Sequence, residues 1–138
     1  MTRIVESAAA MVDLGFEMGS TLKAGDVLAF QAPLGAGKTT LTKGIGKALG
    51  VQEEITSPTF TIISEYEGRI PLFHMDFYRI DDEEELELLG VEEFFYGSGV
   101  CVVEWSGIAA PLLPLHAVKI IIELKENGAR LVSLEEPE

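Results

Sequence analysis

Apolar positions near the start of the chain follow first a helical spacing and then a buried-strand pattern. Ser7 is a typical N-cap residue, and the apolar stripe after it predicts a helix that ends at about Leu22. Residues 27–30 form an unbroken apolar run, which is typical of a strand covered on both faces. After a glycine-rich turn, residues 39–49 predict a second helix that ends before Gly50. The stripe of the first helix consists of Met11, Leu14, Gly15, Met18 and Leu22.

Later in the chain the pattern changes to short β-rich runs. Asp81-Asp82 can cap one short acidic helix, which is expected to turn Leu86 and Leu89 inward and to end at Gly90. A strand, a loop and a helix followed by hairpins predict an α/β fold with antiparallel additions. The predicted strands are residues 59–67, 70–78, 100–103, 118–124 and 130–134, with hairpin turns at Gly68-Arg69 and Asn127-Gly128.

The chain is acidic, and this affects which partners are expected. Among its 138 residues, 23 acidic side chains face ten Lys and Arg, a net charge of −13. Such a chain repels nucleic acid and anionic membranes, so direct tRNA binding by the isolated chain is not expected. Eight of the acids lie in residues 81–93 and three in residues 135–138, and the remaining 12 acids against ten bases give a net charge of −2. The acidity therefore marks one helix and a tail, and it does not exclude a phosphate site elsewhere.

The single cysteine, Cys101, excludes an internal disulfide and a multi-cysteine zinc site, which fits a reducing cytoplasm. Cys101 lies inside a predicted buried strand and is expected to be unreactive. No apolar run is long enough to span a membrane, and the first residues do not form a signal peptide. We expect a single cytoplasmic domain over residues 1–138.

The segment Ala32-Pro33-Leu34-Gly35-Ala36-Gly37-Lys38-Thr39 matches the phosphate-binding loop (Walker A) pattern, with Ala32 in place of the first glycine. Glycines allow backbone N–H groups to converge on phosphate oxygens, and the helix that follows presents its positive end to the anion. Lys38 would neutralise the β- and γ-phosphates, and the Thr39 hydroxyl is a suitable Mg²⁺ ligand. Pro33 removes one backbone donor. The alternative is a glycine-rich turn with an incidental lysine.

Two acids are candidates to complete such a site. Glu104 ends a buried strand, and the carboxyl ends of strands line the ligand crevice in open α/β sheets. Asp76 lies in a run whose alternation places His74 on the same face, where the two side chains could orient each other. A solvated sheet face with an incidental histidine is the alternative for His74 and Asp76.

The hydroxyl-rich segment 56–61 follows the second predicted helix. Ser57, Thr59 and Thr61 are candidates for a switch that senses the γ-phosphate through hydroxyl groups and Mg²⁺. An ordinary Ser-Pro turn is the alternative. Trp105, directly after Glu104, is a candidate to line the site or a partner surface.

Taken together, these motifs resemble the TsaE (formerly YjeE) family, small bacterial ATPases needed for threonylcarbamoyladenosine (t6A) modification of tRNA. The resemblance implies a P-loop three-layer sandwich, with a parallel core sheet and flanking antiparallel strands. It also implies ATP hydrolysis with Mg²⁺ and association with the TsaD–TsaB pair. The chain departs from the family pattern at Ala32-Pro33, where the family usually has Gly followed by an acid. The motifs are residues 34–40, 57–61, 74–79 and 103–105.

The resemblance also implies roles for individual residues. Asp76 and Glu104 become site residues, with Lys38 as the third catalytic candidate, and Thr39 and Glu104 as the metal ligands. His74 is a candidate to line the site or a partner surface. The predicted nucleotide-binding residues are Leu34, Gly35, Ala36, Gly37, Lys38, Thr39 and Thr40.

The leading hypothesis is a weak Mg²⁺-dependent ATPase that acts on a TsaD–TsaB-like complex. No arginine falls within the loop, and an arginine finger contributes a large factor to such reactions, so we expect slow hydrolysis by the isolated chain. The alternatives are a small-molecule kinase and a non-hydrolysing switch that joins its partner when ATP is bound.

Overall fold

The computed structural model describes residues 1–33, 35–56, 62–104 and 106–136, and these form a seven-stranded sheet with helices on both faces. The strands are β1 (Thr2–Val5), β2 (Val27–Gln31), β3 (Ile63–Tyr66), β4 (Leu72–Asp76), β5 (Val100–Glu104), β6 (Val118–Leu124) and β7 (Arg130–Glu135). The helices are α1 (Ala8–Gly19), α2 (Lys38–Ala48), α3 (Glu83–Leu89) and α4 (Val91–Phe95), with a 3-10 helix at Ser106–Leu112. Within the described ranges, no helix is long and apolar enough to cross a membrane.

The strand order is β1-β7-β6-β2-β5-β4-β3. The central strands β6, β2, β5 and β4 run parallel, whereas β7, β1 and β3 are antiparallel to their neighbours. The carboxyl ends of the four central strands therefore meet at one edge of the sheet, where ligands bind in folds of this kind. The predicted parallel core with flanking antiparallel strands is confirmed, as are both hairpins.

A separate apolar core lies on each face of the sheet, so the domain has three layers, as predicted. On one face α1 and α2 pack over Leu28 and Phe30 of β2. On the other face α3, α4 and the 3-10 helix cover Val27 and the odd-numbered positions of β4 and β5. Every residue of β2 except its last is buried, as its unbroken apolar run predicts.

The first helix confirms its predicted cap, since the Ser7 hydroxyl accepts from the Ala10 N–H at 3.0 Å. The prediction that Leu89 faces inward is wrong: Leu86 is fully buried, but Leu89 is 40% exposed. Gly90, with φ of 71°, ends α3 directly after Leu89 and turns the chain into α4, whose first residue, Val91, fills the core instead.

Helices α1 and α2 approach so closely that glycine is required where they cross. A Cβ at Gly44 would lie 2.0 Å from the Val12 carbonyl oxygen, and one at Gly15 would lie 2.2 Å from the Leu41 carbonyl oxygen. Backbone atoms cannot move aside as a flexible side chain can. Because α2 begins at Lys38, this contact also fixes the position of the loop in front of it.

We predict that Gly44→Ala destabilises the fold. Alanine in a helix interior is favoured over glycine by about 1 kcal/mol, but the clash with the Val12 carbonyl outweighs this and costs about 1–3 kcal/mol net. Urea unfolding measures the difference. Gly107→Ala is the matched control, because a Cβ there meets no atom within 4 Å and should change stability little. Equal stabilities for the two variants would contradict the close contact.

Candidate nucleotide site

The phosphate-loop segment connects the end of β2 to the start of α2. Gly35 and Gly37 have φ values of 76° and 104°, a backbone conformation that residues other than glycine rarely adopt. Gly37 is the N-cap of α2, and among the described residues no side chain caps this helix end. The first N–H groups of α2 therefore lack intrahelical partners, and this end of the helix suits an anion.

A buried cluster of three charged or polar side chains lies beside this helix start. Glu104, at the end of β5, is only 3% exposed, and its Oε1 atom lies 3.7 Å from Nζ of the buried Lys38. Its other oxygen, Oε2, accepts a short hydrogen bond from Nε2 of His74, which is fully buried on β4. An ionised carboxylate only accepts, so this pairing requires a proton on Nε2 of the imidazole whenever Glu104 is ionised. The loop, β4 and β5 thus meet at one carboxylate.

Asp76 lies next to this cluster, at the adjacent strand end. It is the register partner of Glu104 across β4 and β5, so the two backbones are about 5 Å apart. Asp76 is half-buried, and its Oδ1 accepts from the Tyr78 N–H at 3.0 Å in the turn that follows β4. The predicted alternation holds as far as Asp76. The alternative of a solvated face is wrong for His74, which is covered completely.

The oxygen donors at this edge fit Mg²⁺ held together with a phosphate. Thr39 lies in the first turn of α2, half-buried, and Glu104 and Asp76 end the neighbouring strands. Among the residues the structure describes, no three His, Cys, Asp or Glu side chains form a metal cage. Mg²⁺ typically uses one or two carboxylates and completes its shell with phosphate oxygens and water, so this donor set suits it.

A cavity of about 180 Å³ opens beside the loop, between α1 and the start of β7. On its β7 side, Arg130 donates hydrogen bonds to the carbonyl oxygens of Gly35 and Ala36. Sequence reasoning missed Arg130. The sequence places Arg130 next to the Asn127-Gly128 turn. That position brings Arg130 near the loop only because β6 pairs in parallel with β2, and this pairing was not known from the sequence. The cavity is lined by Ser7, Ala8, Met11, Gly35, Gly37, Thr40 and Arg130.

Some of the predicted site residues lie outside the part of the chain that the structure describes. These are Leu34 of the loop, the switch candidates Ser57, Thr59 and Thr61, and Trp105. Their roles stay predictions.

A buried strand, a glycine loop, a helix that begins with lysine and an acid at the end of the next parallel strand together define the P-loop class of α/β folds. The family model for "Threonylcarbamoyl adenosine biosynthesis protein TsaE" matches residues 5–132. The chain belongs to the TsaE family, which confirms the resemblance predicted from its motifs.

Individual relatives agree with this assignment. A tRNA threonylcarbamoyladenosine biosynthesis protein TsaE of Treponema pallidum (strain Nichols) is 41% identical over 134 residues, covering 97% of this chain and 99% of that protein. The protein of the same name from Bacillus subtilis (strain 168) is 51% identical over 112 residues, covering 80% of this chain and 70% of that protein. The crystal structure of Bacillus subtilis YdiB superimposes with a TM-score of 0.83 at 34% identity, covering 100% of this chain and 86% of that chain.

Cys101 lies on β5, three residues before Glu104, and is fully buried. Burial raises the pKa of its thiol to about 12 from 9.0, so the thiol stays protonated in the folded protein at neutral pH.

We predict that a thiol reagent at pH 8 modifies the folded protein at least tenfold more slowly than the urea-unfolded chain. Because Cys101 is the only cysteine, the reading is unambiguous. Equal rates would contradict the burial.

Proposed function

We propose that this protein binds ATP with Mg²⁺, hydrolyses it slowly, and thereby serves t6A modification of tRNA in the cytoplasm by acting on a TsaD–TsaB-like complex. Membership of the TsaE family supports the pathway. The observation that carries the ATPase activity is the buried Glu104 carboxylate, held between Lys38 and His74 at the start of α2.

The loop and Lys38 supply the phosphate site in this proposal. The start of α2 directs backbone N–H groups and the positive end of the helix dipole toward the anion. Lys38 is 6% exposed and lies near Glu104, so its ammonium group is held in a defined position and is largely shielded from solvent. A lysine fixed in this way neutralises phosphate charge with little further ordering cost.

In this proposal the acidic side chains and Thr39 would hold Mg²⁺ and orient the attacking water. Thr39 and Glu104 would hold Mg²⁺ directly or through water, and Asp76 would orient the attacking water or the metal. Mg²⁺ bound there would neutralise the charge that develops on the phosphate oxygens. His74 donates to Glu104 and so fixes the direction of the carboxylate, as the hydrogen-bond partners of metal-ligating groups commonly do.

Slow hydrolysis follows from where the guanidinium groups lie. Arg3 is paired with Glu17 on the surface, and Arg69 donates to the Ala48 carbonyl oxygen at the far end of α2. Arg130 donates to backbone carbonyls. The fourth arginine, Arg79, lies exposed in the turn after β4. We propose that a group that stabilises the transferred phosphoryl charge comes from the partner complex.

We predict that Lys38→Ala lowers the affinity for ATP by about 10- to 100-fold, because it removes a charge-assisted contact to phosphate. Titration calorimetry with Mg²⁺ and ATP measures this. Lys47→Ala is the matched control, since Lys47 lies exposed in the last turn of the same helix and should bind ATP as the unmodified protein does. Unchanged affinity in Lys38→Ala would contradict the phosphate site itself.

We also predict that Glu104→Gln slows ATP hydrolysis at least tenfold while ATP affinity changes less than threefold. The amide keeps the shape of the side chain but loses the negative charge that Mg²⁺ requires. Phosphate release is measured with and without a TsaD–TsaB pair, and the pair should accelerate it.

The same assay separates the alternative functions. ATP binding with no phosphate release, even with partners, would replace the ATPase with a non-hydrolysing switch. Phosphate found on a small-molecule acceptor would indicate a kinase. Hydrolysis and Mg²⁺ affinity left intact in Glu104→Gln would overturn the role given to Glu104.

A further inference from the structure

Arg130 is the residue through which the β6–β7 hairpin contacts the phosphate loop. Its Nε atom donates to the Ala36 carbonyl oxygen at 3.1 Å, and its Nη2 atom donates to the Gly35 carbonyl oxygen at 3.2 Å. The two carbonyls are consecutive along the loop, and the rigid guanidinium fork spans both.

The arginine is held in turn by its own hairpin. Its Nη1 atom donates to the Gly128 carbonyl oxygen at 2.9 Å. The turn is closed because the Lys125 N–H donates to the Ala129 carbonyl and the Ala129 N–H donates to the Asn127 side chain. The Arg130 backbone is also in register with Val5 of β1. The guanidinium therefore extends from a rigid support toward the loop.

A hydrogen bond to a loop carbonyl also sets the direction of the next N–H. A trans peptide holds its C=O and N–H on opposite sides, and the described residues contain no cis peptide. Since the Ala36 carbonyl points at Arg130, the N–H of Gly37 points away from it. The N–H of Ala36, after the Gly35 carbonyl, donates to the Pro33 carbonyl oxygen at 3.2 Å.

From this geometry we infer that Arg130 is a positioning residue, which holds the phosphate loop in its nucleotide-binding conformation by hydrogen-bonding two consecutive carbonyls from outside. The inference rests on the proposed function, because it presumes that ATP binds at the loop. Gly35 and Gly37 allow many backbone conformations, and each unordered residue has an entropic cost when the ligand binds. Pro33 also leaves the loop one donor short, so the orientation of the remaining N–H groups matters more.

The test compares Arg130→Ala and Arg130→Lys with the unmodified protein, using titration calorimetry with ADP and with ATP in the presence of Mg²⁺. We expect Arg130→Ala to weaken both nucleotides by a similar factor, about 10- to 30-fold, because two charge-assisted hydrogen bonds that order the loop are lost. Arg130→Lys should stay at least fivefold weaker, since a point-like ammonium group does not reproduce the fork.

A second readout detects the loop itself. In nucleotide-free protein, the backbone amide signals of Gly35, Ala36 and Gly37 in NMR spectra should shift or broaden in both Arg130 variants. Signals from β4 and β5 should stay in place. A residue that only stabilised the fold would not produce this local change. Urea unfolding of each variant shows whether the fold is retained.

Arg3→Ala is the matched control. It removes a guanidinium of equal charge that makes two hydrogen bonds to Glu17 on the surface. Because Arg3 makes these contacts to α1 at the surface, its removal should leave nucleotide affinity within twofold and the loop signals unshifted.

The outcomes separate the competing explanations. Unchanged affinity in Arg130→Ala overturns the inference, and full recovery in Arg130→Lys overturns it in favour of a simple charge effect. A loss confined to ATP also overturns it, because it would mean that Arg130 contacts the γ-phosphate directly. If the unmodified protein binds neither nucleotide, the proposed function falls and the inference with it. If Lys38→Ala loses ATP while Arg130→Ala binds normally, only the inference falls.

Discussion

The rest of the site depends on the buried carboxylate of Glu104. An ionised carboxylate removed from water costs several kcal/mol unless it is paired and hydrogen-bonded, so the fold must supply partners. Lys38 supplies the positive charge from α2, and His74 supplies a hydrogen bond from β4. Glu104 therefore holds together three segments that are distant in the sequence. A structure that moved α2 away would leave the buried carboxylate without its positively charged partner.

The parallel sheet makes this meeting possible. Because β2, β5 and β4 run side by side in the same direction, their ends reach a common edge, and the residues that follow them become neighbours. Packing of α1 on α2 through Gly15 and Gly44 then fixes the position of Lys38, the first residue of α2, relative to that edge. The arrangement of side chains at the edge is thus determined by backbone geometry in the sheet and in the helix pair that packs on one of its faces.

Strong local patterns made much of the fold predictable from sequence. The cap at Ser7 and the apolar run of β2 carry their own signals. The general rule for strand ends indicated Glu104, whereas Asp76 was indicated by alternation with His74 and by the family resemblance. The hydrogen bond between His74 and Glu104 could not be predicted, because it depends on the register of two strands 30 residues apart. Strand β1, three of whose four residues are exposed, has no apolar pattern to reveal it and forms only because β7 pairs with it. The contact between Arg130 and the loop also could not be predicted, because the two lie far apart in the sequence.

The contact between Arg130 and the loop has a consequence for how the protein is made. Arg130 and Ala36 are 94 residues apart in the chain. At the usual rates of translation, roughly 5–20 s pass between the synthesis of one and the other. The ribosome therefore releases the loop long before the guanidinium that contacts it exists. Until the β6–β7 hairpin has emerged and docked, the nascent chain carries the loop and α2 without this contact, and the proposed nucleotide site is completed late in folding.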